Sequence, residues 1–301
     1  MMHTEKPILV YLANGVQGSA VVRQAVHRGY SVRALVRDPA KSDHLRQLGV
    51  EIAAADFNDR ASLNDAHRGI DHVVWQIPLG DPARMELLVD YAIAAITMNG
   101  VTRVVAKTGA GKPSIQTDVP AFVLNQIIED KLRASGVPFA IVRPTMYLDN
   151  FLRPGIREGI CQNNVITYPL PARQTIAWTS TDDAARAALT LLESETFGGD
   201  YSVPGSEAVD GDELAAAFSL ALKREIRFQS LPFEDFASGT DVPGAAAMAK
   251  RLATATLRFV ANHPHEASAY LSRPFRPSPQ LRGFQPTVIQ QWVTEHRLSF
   301  A

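Results

Sequence analysis

A doubly wound parallel α/β sheet is the fold class this sequence predicts, and three observations predict it. Apolar runs of strand length alternate with helical periodicities along the first 150 residues. The first unit, Ile8–Arg37, joins two such runs through a glycine-bearing turn and a helix with one apolar face. No internal repeat interrupts the alternation, and strands linked in this way by helices pack in parallel into one sheet covered on both faces.

The elements follow in order. The first strand is expected over Ile8–Leu12 and the turn over Ala13–Gly18. Ser19–Arg28 is a helix, with Ala20, Val21, Ala25 and Val26 on one face and Gly29 as its stop. Ser31–Val36 is the second strand, and Asp38–Lys41 a polar turn into the helix Ser42–Leu48. Val50–Ala54 is the third strand, followed by a helix over Ala61–Arg68 that Asp59 can start. His72–Gln76 is the fourth strand. Pro82–Met98 is a long amphipathic helix whose apolar face is Met85, Leu88, Val89, Ala92 and Ile96. Arg103–Ala106 is the fifth strand, Lys112–Val119 a polar loop, Pro120–Ser135 a helix and Phe139–Val142 the sixth strand.

Beyond Asn150 the alternation loosens. Pro154, Gly155 and Gly159 break the pattern, as does Pro169–Pro171. Ala184–Leu192 and Glu213–Leu222 read as helices, Gly198–Pro204 as a turn and short strand, and Ile226–Leu231 as strand-like. Thr240–Asn262 is mostly helical, Pro274–Pro279 extended, and Val288–His296 the last helix. The expected organisation is a sheet domain over 1–150 and a small α+β lobe over 151–301, with exchange of segments between them.

Composition narrows the function classes. With 46% hydrophobic residues among 301, a sizeable core is available. Lys plus Arg total 30 against 31 acids, a net charge of −1, which argues against a nucleic-acid or membrane-surface partner. Cys161 is the single cysteine and reads as a packing residue. No apolar run approaches a membrane span, and Met1–Pro7 is too polar and short for a secretory signal, so a cytoplasmic monomer or homodimer is expected. His263-Pro264-His265 lacks acids at metal spacing and reads as a solvated loop, so no metal is expected. Gly109-Ala110-Gly111-Lys112 lacks the hydroxyl residue that would complete a phosphate loop.

The first turn suits a pyrophosphate. Gly15 lets the backbone approach an anion, Gly18 permits close helix–strand packing, and the free N–H groups of the helix start point at the ligand. Ala13, Asn14, Gly15, Val16, Gln17 and Gly18 are therefore candidate dinucleotide contacts. Leu12 stands where the fingerprint carries its first glycine, and its side chain would crowd the turn or reshape the ligand's path. Arg37 and Lys41, beyond the second strand, favour NADP(H) over NAD(H) because a base there accommodates a ribose 2′-phosphate; Asp38 argues the other way. Asp56 and Phe57 would hold the adenine edge and face, or Asp59 simply starts a helix nearby. Gln76, Ile77 and Pro78, past the fourth strand, mark the crevice above the sheet, as does Pro144 at the sixth.

Several stretches resemble one family. Val32-Arg33-Ala34-Leu35-Val36-Arg37-Asp38-Pro39 with Leu48-Gly49-Val50-Glu51 is similar to the NmrA-like atypical short-chain dehydrogenase/reductases. So is Leu132-Arg133-Ala134-Ser135-Gly136-Val137-Pro138-Phe139 running into Val142-Arg143-Pro144 and on to Asn150. The resemblance covers about the first two hundred residues well. It implies a Rossmann domain that binds NADP(H), a small lobe over the nicotinamide, and a reductase of quinones, isoflavone-type phenolics or triphenylmethane dyes. It equally admits a regulator that senses the dinucleotide and acts through a protein partner.

Departures from the family pattern bear on that choice. Matching Glu129 to the family's glutamate puts Asn125 where many members carry a catalytic lysine and Ala121 at the tyrosine of a Tyr-x-x-x-Lys pair. Alanine and asparagine cannot run that general-acid mechanism. Lys107, with Thr108 beside it, stands at the end of the fifth strand where relatives often have Ser or Thr. Lys107 would stabilise negative charge on an acceptor, touch a cofactor phosphate, or be a surface charge; Tyr147 would hydrogen-bond the acceptor or simply pack. The expected function is an NADPH-dependent reductase of a quinone-like or other conjugated small molecule, with Lys107, Tyr147 and Asn125 as candidate catalytic residues. The alternatives are a dinucleotide-binding sensor and a scaffold whose Leu12 has abolished binding.

Overall fold

The computed structural model describes residues 7–77, 81–109, 111, 113–115, 117–231 and 245–301. Seven strands form one parallel sheet in the order β3-β2-β1-β4-β5-β6-β8. They are β1 (Ile8–Val10), β2 (Val32–Val36), β3 (Glu51–Ala54), β4 (His72–Trp75), β5 (Arg103–Lys107), β6 (Phe139–Pro144) and β8 (Gly199–Val203). A two-stranded parallel sheet pairs β7 (Val165–Tyr168) with β9 (Arg227–Ser230). Reversal of strand order between β1 and β4 opens a crevice at the carboxyl edge of the large sheet, the place where such folds hold ligands.

Both faces of that sheet are covered. Helices α3 (Arg60–His67), α4 (Pro82–Met98) and α5 (Pro120–Ala134) lie on one face, with Leu63, Val89, Leu124 and Ile128 packed against Leu9, Val73, Val104 and Ile141. Helices α1 (Val16–His27) and α7 (Thr181–Glu193) cover the other, with Val21, Ala25, Ala188 and Leu192 against Val10, Val74, Val105 and Val142. Alternation along the strands explains the division: Val104 and Ala106 face the first core, Val105 the second. Each fully buried aliphatic side chain contributes about 1.5–3 kcal/mol.

A third core builds the small lobe. It gathers Phe151, Trp178, Phe218, Trp292 and Phe300 from α6 (Pro154–Asn163), α8 (Gly211–Leu222), α9 (Ala245–Asn262), α10 (Pro264–Leu271), α11 (Ile289–Glu295) and their connections; α2 (Asp43–Arg46) is a single turn beside the large sheet. The chain crosses the expected boundary at 150 and returns, because α7 and β8 belong to the large sheet.

Four expectations change. Six strands become seven, because Gly198-Gly199 opens a genuine edge strand that pairs along β6. Pro154 begins a helix instead of breaking one: at the first helical position its missing N–H has no partner to lose. Pro264 acts likewise, so His263 caps a helix and is no loop residue. The first strand ends at Val10, two residues early, because Leu12 turns the backbone. The expected start of the helix ending at Asn262 lies outside the described residues.

Candidate functional site

The β1–α1 turn is built on a leucine in an unusual conformation. Leu12 has φ of 51°, the left-handed region where a glycine would be free of strain and a leucine costs roughly 1–2 kcal/mol. It takes the backbone course a glycine would take there. Its side chain is half-buried and packs on the core beneath α3 and α4. Glycine at 18 is obligatory, since a Cβ there would stand 2.2 Å from the Leu12 carbonyl oxygen. Gly15 is the N-cap of α1 and supplies no capping side chain, which leaves the leading N–H groups of Val16, Gln17 and Gly18 for a ligand. The turn therefore fits a dinucleotide pyrophosphate.

The other expected contacts divide into backbone and side-chain groups. Ala13, Ile77 and Pro144 are buried, which leaves their side chains little surface to offer a ligand. Asn14 donates to Ser42 Oγ at 2.9 Å, tying the turn to the chain beyond β2. Arg37 is exposed and forms no ion pair among the described residues. Asp38 is engaged: its carboxylate accepts from the Ala40 N–H at 3.1 Å and pairs with Lys41 at 3.4 Å. Asp56 is exposed and accepts two hydrogen bonds from Asn58, at 2.9 and 2.7 Å, which with the nearby Arg37 and Arg84 lower its pKa. Phe57 departs from expectation. Its ring is buried against Tyr11 with centroids 5.5 Å apart, and so offers no face to an adenine. Pro78 lies outside the described residues.

Three side chains meet over the carboxyl edge. Gln17 Oε1 accepts from Gln76 Nε2 at 2.8 Å and from the Tyr147 hydroxyl at 3.1 Å, linking α1 with the ends of β4 and β6. Tyr147 is thus a hydrogen-bonding group as well as a packing one. Burial and the charge of Asp149 raise its pKa, so the phenol stays protonated.

Lys107 ends β5 between β4 and β6. Two residues beyond Val105, it points to the α1 and α7 face, the side from which Gln17 comes. It is only 6% exposed, and its Nζ has no hydrogen-bond partner among the described residues. Burial lowers its pKa to about 7, against the opposing pull of Asp149 and Asp182. Both acids are already bonded, Asp149 to Thr181 N and Oγ1 at 2.9 and 2.6 Å, Asp182 to Arg23 and Gln24.

Asn125 does not join this group. It lies on α5, the opposite face, against Gly109; a Cβ on that glycine would stand 2.6 Å from Asn125 Nδ2. Glu129, one turn on, is buried and fully engaged: Arg143 Nε donates at 2.8 Å and its Nη2 at 2.6 Å, Arg133 at 3.2 Å and Thr108 Oγ1 at 3.2 Å. Asp149, Asp182 and Ser42 are the site's neighbours that sequence reasoning missed. Asp149 and Ser42 follow strand ends by a few residues and Asp182 stands in the first turn of α7, positions that carry no chemical signal of their own. Among the described residues no cluster of three His, Cys, Asp or Glu could hold a metal, and no helix is long and apolar enough to cross a membrane.

Crevice, glycine turn and seven-stranded parallel sheet define a Rossmann-type α/β protein. Residues 4–262 match the model of the NmrA-like family, and the chain belongs to that family. It is 28% identical to the NAD(P)H azoreductase of Xenophilus azovorans, over 97% of this chain and 99% of that protein. It is also 28% identical to the (4-alkanoyl-5-oxo-2,5-dihydrofuran-3-yl)methyl phosphate reductase of Streptomyces griseus, over 98% and 99%. In fold it is similar to the triphenylmethane reductase of Citrobacter sp. complexed with NADP(H), with a TM-score of 0.75 at 20% identity over 96% of this chain and 99% of that one.

Proposed function

We propose that this chain is an NAD(P)H-dependent reductase of quinone-like or other conjugated small molecules, with NADPH preferred and Lys107 as the charge that favours the reduced acceptor. The observation that carries the reading is the lysine itself, a buried ammonium without a hydrogen-bond partner among the described residues, at the carboxyl edge of a Rossmann sheet. An unpaired buried charge costs stability and persists where it does chemistry. The two full-length reductases described above support the class.

The N–H groups of Val16, Gln17 and Gly18 would hold the pyrophosphate, and Arg37 with Lys41 the ribose 2′-phosphate. Asp38, engaged by Ala40 and Lys41, is a poor competitor for a ribose hydroxyl. When bound, the cofactor supplies a hydride to the acceptor. Lys107 ends β5 on the face from which Gln17 comes, where a positive charge would act at low dielectric on negative charge gathering at the acceptor. Solvent supplies the proton that balances the reduction. Tyr147, held protonated, orients Gln17 and does not serve as a base.

The test is NADPH and NADH oxidation against a panel of quinones, azo dyes and conjugated lactones. Turnover with NADPH above NADH is expected. Tight cofactor binding with no turnover across the panel would overturn the reading and leave a sensor.

A further inference from the structure

A cleft of about 720 Å³ opens along the outer edge of β8, where the chain leaving α10 folds back beside that strand. None of the residues placed above around the β1–α1 turn or Lys107 lines it. Its charge is one-sided. Among the described residues Asp200 is the one carboxylate in its lining, and Arg133 and Arg143 already hold it at 2.5 and 2.7 Å. Arg273 and Arg276 also line the cleft, are exposed, and form no ion pair or hydrogen bond among the described residues.

Two hydroxyls add to the imbalance. Tyr270 Oη and Ser278 Oγ, on residues of the same lining, are buried with no hydrogen-bond partner among the described residues. A buried hydroxyl left unmatched is costly, and among the described residues neither of these finds an acceptor. Pro274 and Pro277, either side of Arg276, fix φ in the segment and hold the arginines with little freedom to lose on binding.

Free guanidinium groups beside hydroxyl donors are the donor set of a multidentate oxyanion, and a planar guanidinium matches phosphoryl oxygens two at a time. The volume exceeds what a lone phosphate fills and leaves room for an organic body. We propose that this cleft binds a phosphorylated small molecule, at a site separate from the β1–α1 turn, with Arg273 and Arg276 gripping the phosphoryl group and Tyr270 and Ser278 donating to it. The site does not depend on the reductase reading.

The test is calorimetric titration of the full chain with inorganic phosphate and pyrophosphate at constant ionic strength. Three variants accompany it: R273Q/R276Q, Tyr270→Phe, and Arg37→Gln as a control at the other anion-binding region. Saturable binding should weaken about tenfold or more in R273Q/R276Q and stay unchanged in Arg37→Gln. Tyr270→Phe removes a hydroxyl with no partner among the described residues, so it should weaken binding without lowering the melting temperature; that arm stands if the double variant folds poorly. Unchanged binding in both cleft variants, absence of saturable binding in the parent, or loss confined to Arg37→Gln would each overturn the proposal.

Discussion

Glu129 and Lys107 are both buried charges near the carboxyl edge of the sheet, on opposite faces of it, and they are treated in opposite ways. Glu129 receives Arg143, Arg133 and Thr108 and ties α5 to β6; through Arg143, Asp200 extends the tie to β8. Lys107 Nζ has no hydrogen-bond partner among the described residues. The satisfied charge is part of the frame, and on the proposed reading the unsatisfied one marks where the frame gives up stability for chemistry. Burial alone does not distinguish structure from function; the list of partners does.

The largest effect should come from removing the orphan. The pKa of Lys107 in the folded chain, about 7, lies below the 10.5 of a free lysine, so the unfolded chain binds the extra proton between those values. Burial therefore subtracts stability most fully below about pH 7, and the loss is relieved as pH rises toward 10.5. Lys107→Met should raise unfolding stability by on the order of 4 kcal/mol near neutral pH, an upper figure, with the gain shrinking in alkali. Urea unfolding at several pH values reads this directly; a destabilised variant would place Lys107 among the frame residues.

Removing a partner from the satisfied charge should do the reverse. Arg143→Met strands Glu129 in the core, and a loss of roughly 3 kcal/mol in the same unfolding assay is expected. A neutral result would mean that Arg133 and Thr108 suffice.

His67 extends the comparison to a neutral group. It is fully buried, with Nδ1 against the Leu63 carbonyl at 2.7 Å and Nε2 against the Tyr11 hydroxyl at 2.9 Å, and burial lowers its pKa from 6.5 to about 4. The unfolded chain takes up the proton first, so stability should fall as pH drops from 6.5 toward 4, by about 3 kcal/mol in all. His67→Gln should flatten that acid limb in thermal melts; an unchanged limb would assign it to other groups.

The smallest effect concerns Arg37, exposed just beyond β2. Arg37→Gln should cut the preference for NADPH over NADH about tenfold, one charge-assisted contact, with NADH affinity little changed. Equal losses for both cofactors would place Arg37 elsewhere than at the 2′-phosphate.

Much of this architecture was legible in the sequence, and the reasons are local. Pro82–Met98 matches at both ends because Asp81 caps it and its apolar spacing is regular. The glycine turn was legible because backbone geometry, not side-chain chemistry, defines it. The edge strand β8 was readable as a strand but not as part of the large sheet, since its exposed residues carry little of the apolar pattern that a central strand shows. Helix α6 was hidden because a proline that opens a helix and one that breaks it look alike in sequence. Phe57 and Lys107 were both picked out by position, yet only tertiary packing could put the ring in the core and leave the ammonium without a partner.

The most direct test of the account is the pH dependence of kcat/KM for NADPH-driven reduction of a quinone, in the parent and in Lys107→Met, from about pH 5 to about pH 9. The parent rate should fall as pH rises through about 7, where the ammonium is lost, and the variant should be slower by about a hundredfold and lack that limb. The same falling limb in both proteins, at similar rates, would contradict it.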